Sequence, residues 1–246
     1  MDKSRTENLI GKKAVEKLAS SSVAVFGLGG VGSYCVETLC RAGVGKLLLC
    51  DGDVVQESNL NRQLYALKNT VGKKKAEVAK ERCLLINENA RIIAMPIFFN
   101  AETADKFDFS SYDYIIDCID NVTSKLLLAV KAKEAGVKII SCMGTGNKLD
   151  NTRFRITDIK KTHACPLAKV VRRELKKRGL TDYTVLFSDE ERKLPLSDDK
   201  RTPASVSFVP SVAGITITGY VVNSLIAGLL PSDDERCPKG KEEEKA

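Results

Sequence analysis

Four glycines fall within six residues at Gly27-Leu28-Gly29-Gly30-Val31-Gly32, directly after the short apolar run 23–26 and directly before the helical pattern 31–42. Glycine lets a chain take positive φ and lets a phosphate approach its backbone, while the helix that follows presents unpaired N–H groups and the positive end of its dipole. A strand, such a turn and a helix form the opening unit of a doubly wound sheet. The next apolar run, 46–50, ends at Asp51, nineteen residues past Gly32. That is where a carboxylate can take the hydroxyls of a ribose. At this stage NAD and ATP fit equally well.

The alternation continues. A basic helix is expected over 73–86, with Ala76, Val78, Ala79, Cys83 and Ile86 as its apolar stripe. Strands are expected at 91–96, 112–117 and 137–142, with a helix over 122–135. Strands separated by helices imply crossovers and a mostly parallel sheet covered on both faces, a Rossmann-like α/β fold whose ligands bind beyond the carboxyl ends of the strands. After Gly144 the pattern changes. Residues 152–159 alternate as an added, antiparallel strand; 160–204 is charged and is expected to be irregular and flexible apart from a strand near 183–187. Residues 202–232 carry no charge, but Thr216, Thr218, Asn223 and Ser224 interrupt the apolar run. This favours a helix buried in the core or at a subunit interface over a membrane span. The chain is expected to be one domain over 1–232, with a nucleotide-binding half (1–145), a substrate and dimer half (146–232), and a disordered charged tail over 233–246.

Composition narrows the function classes. With 246 residues, 43% of them hydrophobic and 29% charged, the chain is neither disordered, nor collagenous, nor a disulfide miniprotein. None of its eight cysteines forms a CxxC pair, so a four-cysteine zinc site has no support, and most are expected to be buried reduced thiols. The charged N-terminus lacks the apolar core of a secretory signal, which points to the cytoplasm.

Three features favour ATP over NAD. Ser58-Asn59-Leu60-Asn61-Arg62-Gln63 places a fixed guanidinium shortly after Asp51, and a triphosphate needs such a fork while a dehydrogenase does not. Lys73, Lys74 and Lys75 open the next helix, where cations are unfavourable unless an anion sits nearby; a solvated basic face is the alternative. Asp117 and Asp120 end the fourth strand and can hold Mg²⁺ or, with Asn121, cap the following helix.

Gly27–Gly32, Asp51, Ser58–Gln63, the run Gly72-x-x-Lys75-Ala76-Glu77 and the run Asp117-x-x-Asp120-Asn121 together resemble the ubiquitin-activating-type, ThiF-like adenylating superfamily. Arg5-Thr6, Leu9-Ile10-Gly11, the run 157–163 and Pro166-Leu167-Ala168 resemble the branch that dehydrates threonylcarbamoyladenosine in tRNA. The resemblance implies that Gly27, Gly29, Gly30 and Gly32 form the nucleotide loop and that Asp51, with Asp53 beside it, serves the ribose. It implies that Asn59, Arg62, Gln63 and Lys75 meet the phosphates, and that Asp120, beside Asn121, anchors Mg²⁺. It implies further that Arg5 reaches the ATP of a partner subunit in a homodimer. Arg62, Lys75, Asp120 and Arg5 are the residues it makes catalytic.

Between residues 160 and 178, Lys160, Lys161, Lys169, Arg172, Arg173, Lys176, Lys177 and Arg178 face one acid, Glu174. Such a patch suits the backbone of tRNA, or else it is a solubilising helix face. The same chemistry on the C-terminal glycine of a ubiquitin-like sulfur carrier is the nearest alternative, and the missing CxxC pairs argue against that carrier. An NAD(P)-dependent oxidoreductase and a non-catalytic nucleotide sensor are more distant alternatives. Cys165, two residues after the lone histidine His163, and Cys142 are the candidates for a transfer cysteine, which the dehydratase reading does not require.

Overall fold

The computed structural model describes residues 1–194, 196 and 203–231; the expected tail over 233–246 lies outside them. Its centre is a seven-stranded sheet of β1 (Ser22–Phe26), β2 (Lys46–Cys50), β3 (Arg91–Met95), β4 (Tyr114–Asp117), β5 (Lys138–Cys142), β6 (Phe154–Asp158) and β7 (Thr184–Ser188), in the order β3-β2-β1-β4-β5-β7-β6. All neighbours are parallel except β6, which runs antiparallel to β7. The central strands are short apolar runs buried on both faces, as parallel strands are. Strand order reverses between β1 and β4, and their register pairs Phe26 with both Cys50 and Asp117. The carboxyl ends of β1, β2 and β4 therefore emerge together at the switch point.

Helices α1 (Ser4–Ile10) and α2 (Lys12–Ser20) precede the sheet; α3 (Gly32–Ala42), α4 (Lys75–Ile86) and α5 (Val122–Glu134) make the crossovers. The basic helix begins at Lys75 rather than at residue 73. An antiparallel bridge between Val54 and Lys74, with the Val55 amide on the Lys73 carbonyl, keeps residues 73 and 74 extended. Lys74 donates to the Gly52 carbonyl at 3.1 Å, so only Lys75 stands in the first helical turn. The fourth strand starts at Tyr114, two residues later than expected, because Asp113 is engaged by the amide and hydroxyl of Ser22.

The segment 160–204 contains the strand expected near 183–187 but is otherwise more regular than expected. It contains helix α6 (Pro166–Lys177), which buries Ala168, Val171 and Leu175 at helical spacing, and β7, which enters the sheet between β5 and β6. Residues 195 and 197–202 of that segment lie outside the described residues. Helix α7 (Phe208–Leu225) is long and apolar enough to cross a membrane, but its inner face packs on α3. Gly214 permits that approach: a Cβ there would stand 2.4 Å from the Val31 carbonyl oxygen. Thr38 donates to Thr218 at 2.7 Å across the same contact. The helix is not wholly buried, since Phe208, Ile215 and Tyr220 remain exposed. On the opposite sheet face, Phe26 packs against Phe99, Phe107 and Phe109 with ring centroids 5.1–6.0 Å away.

Candidate active site

The glycine turn forms the floor of a cleft of about 870 Å³ at the ends of β1, β2 and β4. Gly27 takes φ +86°, and a Cβ on it would meet the Cys118 carbonyl oxygen at 2.7 Å; a Cβ on Gly32 would stand 1.8 Å from the Gly27 oxygen. Neither position admits another residue without moving the backbone that joins β1 to α3. Gly29 and Gly30 line the cleft on its open side.

Asp51 is fixed to this turn. One of its oxygens accepts the Leu28 amide at 2.6 Å and the other accepts the Asp53 amide at 2.8 Å. A carboxylate has about four acceptor positions, so lone pairs remain for two donors from the cleft. Asp53 lines the cleft and holds the Lys75 ammonium at 2.9 Å; the Lys75 side chain is only 7% exposed. Asn59 is buried, accepts the Gln56 amide at 3.1 Å and presents its remaining edge to the cleft with Gln63. Arg62 is half-buried at the cleft wall. Its Nη1 donates to the Ser58 carbonyl at 2.9 Å and the Asn61 side-chain oxygen at 2.8 Å, and among the described residues no carboxylate neutralises it.

Two expected metal-binding carboxylates separate. Asp117 is fully buried: it accepts from Lys125 at 2.8 Å and from Ser141 at 2.5 Å, and its other oxygen takes the Ile119 amide at 3.0 Å. It faces away from the cleft and holds no metal there. Asp120 is exposed, lines the cleft and has no protein partner among the described residues. Asn121 performs the capping, accepting the Ser124 amide at 3.0 Å at the start of α5. Asp120 is thereby left free for a cation.

A second cavity of about 340 Å³ adjoins the cleft and shares Val31, Cys118, Ile119, Asp120, Thr145 and Pro203 with it. Its walls include Cys142, Cys165, Lys148 and Arg192. Burial pushes the Cys142 thiol up, and the contact with Cys35 together with burial does the same for Cys118. These thiols are poor nucleophiles. Cys165 is buried in the second cavity, and His163 turns elsewhere, its ring 5.3 Å from that of Phe187.

The remaining expected residues lie outside the cleft. Arg5 is exposed on α1, which buries none of its residues. The bases of 160–178 stand on the outer side of α6 and the turn before it. Several are already engaged: Lys160 with Asp182, Arg172 with Thr162, and Arg173, Lys177 and Arg178 with Glu174. Lys161, Lys169 and Lys176 project without side-chain partners among the described residues. Sequence reasoning missed Lys125, Lys148 and Arg192. Lys125 reads as one more base on a basic helix, and Lys148 and Arg192 come from segments without a motif. Phe98 and Phe99 also line the cleft from a loop that carries no signal.

Residues 3–233 match the model of the ThiF family. The chain is 44% identical over 238 residues to the tRNA threonylcarbamoyladenosine dehydratase of Bacillus subtilis, covering 91% of this chain and 94% of that protein. It superposes on the crystal structure of the Escherichia coli tRNA N6-threonylcarbamoyladenosine dehydratase TcdA in complex with ATP with a TM-score of 0.84 at 31% identity, covering 91% of this chain and 93% of that one. To the adenylyltransferase and sulfurtransferase UBA4 of Saccharomyces cerevisiae it is 33% identical over 150 residues, 61% of this chain and 34% of that protein.

Proposed function

This chain belongs to the ThiF family, and from that premise we propose that it uses ATP to dehydrate, and so cyclise, threonylcarbamoyladenosine next to the anticodon of tRNA. The observation that carries this reading is the pairing of an unneutralised Arg62 with an unpartnered Asp120 across a glycine-floored cleft, beside a second cavity large enough for an acceptor. Adenylation by UBA4-type chemistry on a carrier protein is less favoured, because the likeness to that protein covers a smaller share of this chain than the likeness to the dehydratases.

The threonine carboxylate is a poor acyl donor because its leaving group would be oxide. In the proposed reaction one carboxylate oxygen attacks the α-phosphorus of ATP. The bond from that phosphorus to the bridging oxygen breaks, and pyrophosphate leaves with the electron pair. The neighbouring urea then closes on the acyl carbonyl, AMP departs, and the attacking group loses its proton. Ring closure is intramolecular, so proximity supplies much of its rate. The protein positions and neutralises: Asp51 takes the ribose, the glycine turn and α3 take phosphate, and Arg62 and Lys75 meet the charge that develops on the phosphates. Mg²⁺ typically takes one or two carboxylates and completes its shell with phosphate and water. Asp120 fits that role, and the ion would there neutralise the phosphate chain.

The same reading includes a cytoplasmic homodimer in which Arg5, exposed on α1 and not among the residues lining its own cleft, serves the partner's ATP. The exposed bases around α6 serve the tRNA. With Lys161, Lys169 and Lys176 as phosphate contacts, tRNA affinity should fall about 40-fold between roughly 50 and 200 mM salt, at a slope near −0.9 per contact; filter binding across salt measures it. Cys165→Ala should keep most of the activity, since no step uses a covalent thiol, and a loss beyond about tenfold would favour the carrier-protein reading. The direct test mixes protein, Mg-ATP and tRNA bearing threonylcarbamoyladenosine. The expected products are AMP and a nucleoside lighter by one water; AMP formed only with a carrier protein would refute the proposal.

A further inference from the structure

Lys148 is a buried cation without a counter-ion. It is 5% exposed, and its ammonium donates to the carbonyls of Ser188 and Glu190. The Glu190 carboxylate turns away, accepting the amides of Leu149 and Asp150 at 3.0–3.1 Å. No carboxylate lies within ion-pairing distance of Lys148 among the described residues. The contrast with Lys125 is direct: that lysine is fully buried too, but Asp117 stands 2.8 Å away. Burying a charge is unfavourable unless an opposite charge compensates it. Burial accordingly holds the Lys148 pKa below the usual lysine value.

Lys148 lines the second cavity, where Arg192 joins it, exposed and without a protein acceptor among the described residues. The other walls are mostly apolar, with Cys142, Met143 and Leu167 among them. A cavity of about 340 Å³ is small for a ligand site and excludes a folded protein. It meets the nucleotide cleft at Asp120. Two cations that no carboxylate pairs among the described residues, on mostly apolar walls with Asp120 at the junction with the cleft, complement a small group that ends in an anion and is otherwise weakly polar.

We propose that this cavity is the acceptor subsite: it takes the threonylcarbamoyl end of the modified nucleoside, and Lys148 and Arg192 receive its carboxylate beside the α-phosphorus. The assignment rests on the function proposed above. When carboxylate oxygen bonds to phosphorus and pyrophosphate leaves, the anion in the cavity disappears. The two cations thus favour the bound acid over the acyl adenylate, which makes them positioning and specificity residues, with effects expected on KM more than on kcat.

The test uses the full chain, a non-hydrolysable ATP analogue and a short anticodon stem-loop RNA carrying threonylcarbamoyladenosine, either as the free acid or as its methyl ester. Wild type should bind the acid at least about tenfold more tightly than the ester, the worth of one charge-assisted hydrogen bond. Lys148→Met and Arg192→Gln should each shrink that ratio toward one, leaving affinity for the ester and for the ATP analogue unchanged. Equal binding of acid and ester by wild type would overturn the proposal, as would a ratio left intact in both variants. Should Lys148→Met fail to fold in a thermal melt, Arg192→Gln, at an exposed position, decides alone. A wild type that dehydrates tRNA while both variants retain the ratio defeats only the subsite. A wild type that neither binds nor dehydrates the modified RNA defeats the function as well.

Discussion

Arg62→Ala is expected to lower the rate of AMP formation by about 10²–10³ while leaving the fold intact. The guanidinium is already oriented, by the Ser58 carbonyl and the Asn61 side chain, and has no carboxylate to neutralise it. It therefore faces the cleft with its charge unspent and without reorganisation, the condition under which a donor contributes most to a developing anion. Removing one such preorganised donor typically raises a barrier by about 2.7–4 kcal/mol. Arg62→Lys should recover only part of the loss, because an ammonium has the charge but not the planar fork. Single-turnover AMP release, with a thermal melt beside it, checks both halves. A wild-type rate in Arg62→Ala would remove this residue from the phosphate site.

Lys125→Met is expected to destabilise the protein by about 3–5 kcal/mol, because it leaves the Asp117 carboxylate buried without a counter-charge. Lys125 and Asp117 are both completely inaccessible, and the ammonium also donates to Ser141 at 2.9 Å and to the Cys142 carbonyl at 3.0 Å. The network ties the ends of β4 and β5 to α5. Asp117 in turn holds the Ile119 amide, one residue before Asp120. The variant should thus lose ATP turnover along with stability. The double variant Lys125→Met with Asp117→Asn should recover part of the stability, since no unpaired charge remains. Urea denaturation midpoints for the two single variants and the double one test this. Additive losses would show that the pair is not coupled.

The first two strands and their ends were legible for a physical reason. Strands β1 and β2 are short apolar runs, and the residues that follow them, Gly27 and Asp51, bear the signals of a turn and a rim. Local sequence therefore reports both the strand and its functional end. Asp51, Arg62, Lys75 and Asp120 all line one cleft, although Asp120 comes from the β4–β5 crossover and the other three from the β2–β3 crossover. Helix α6 was missed because only Ala168, Val171 and Leu175 mark its buried face, among eight bases in the surrounding segment. The insertion of β7 between β5 and β6 rests on pairing between distant segments, which no local pattern encodes. Asp117 and Lys125 show the same limit. One reads as a metal ligand and the other as a solvated base, and only the fold brings them together as a buried pair. Lys74 likewise reads as part of a helix start, and a bridge to Val54 holds it in extended backbone.

The central claim is that the acceptor's own carboxylate oxygen becomes bonded to the α-phosphorus. The most direct measurement labels the threonine carboxylate of the modified tRNA with heavy oxygen, adds protein and Mg-ATP, and weighs the products. The account predicts AMP carrying one heavy oxygen and unlabelled pyrophosphate. Label appearing in inorganic phosphate alongside ADP, or unlabelled AMP beside a dehydrated nucleoside, would contradict it.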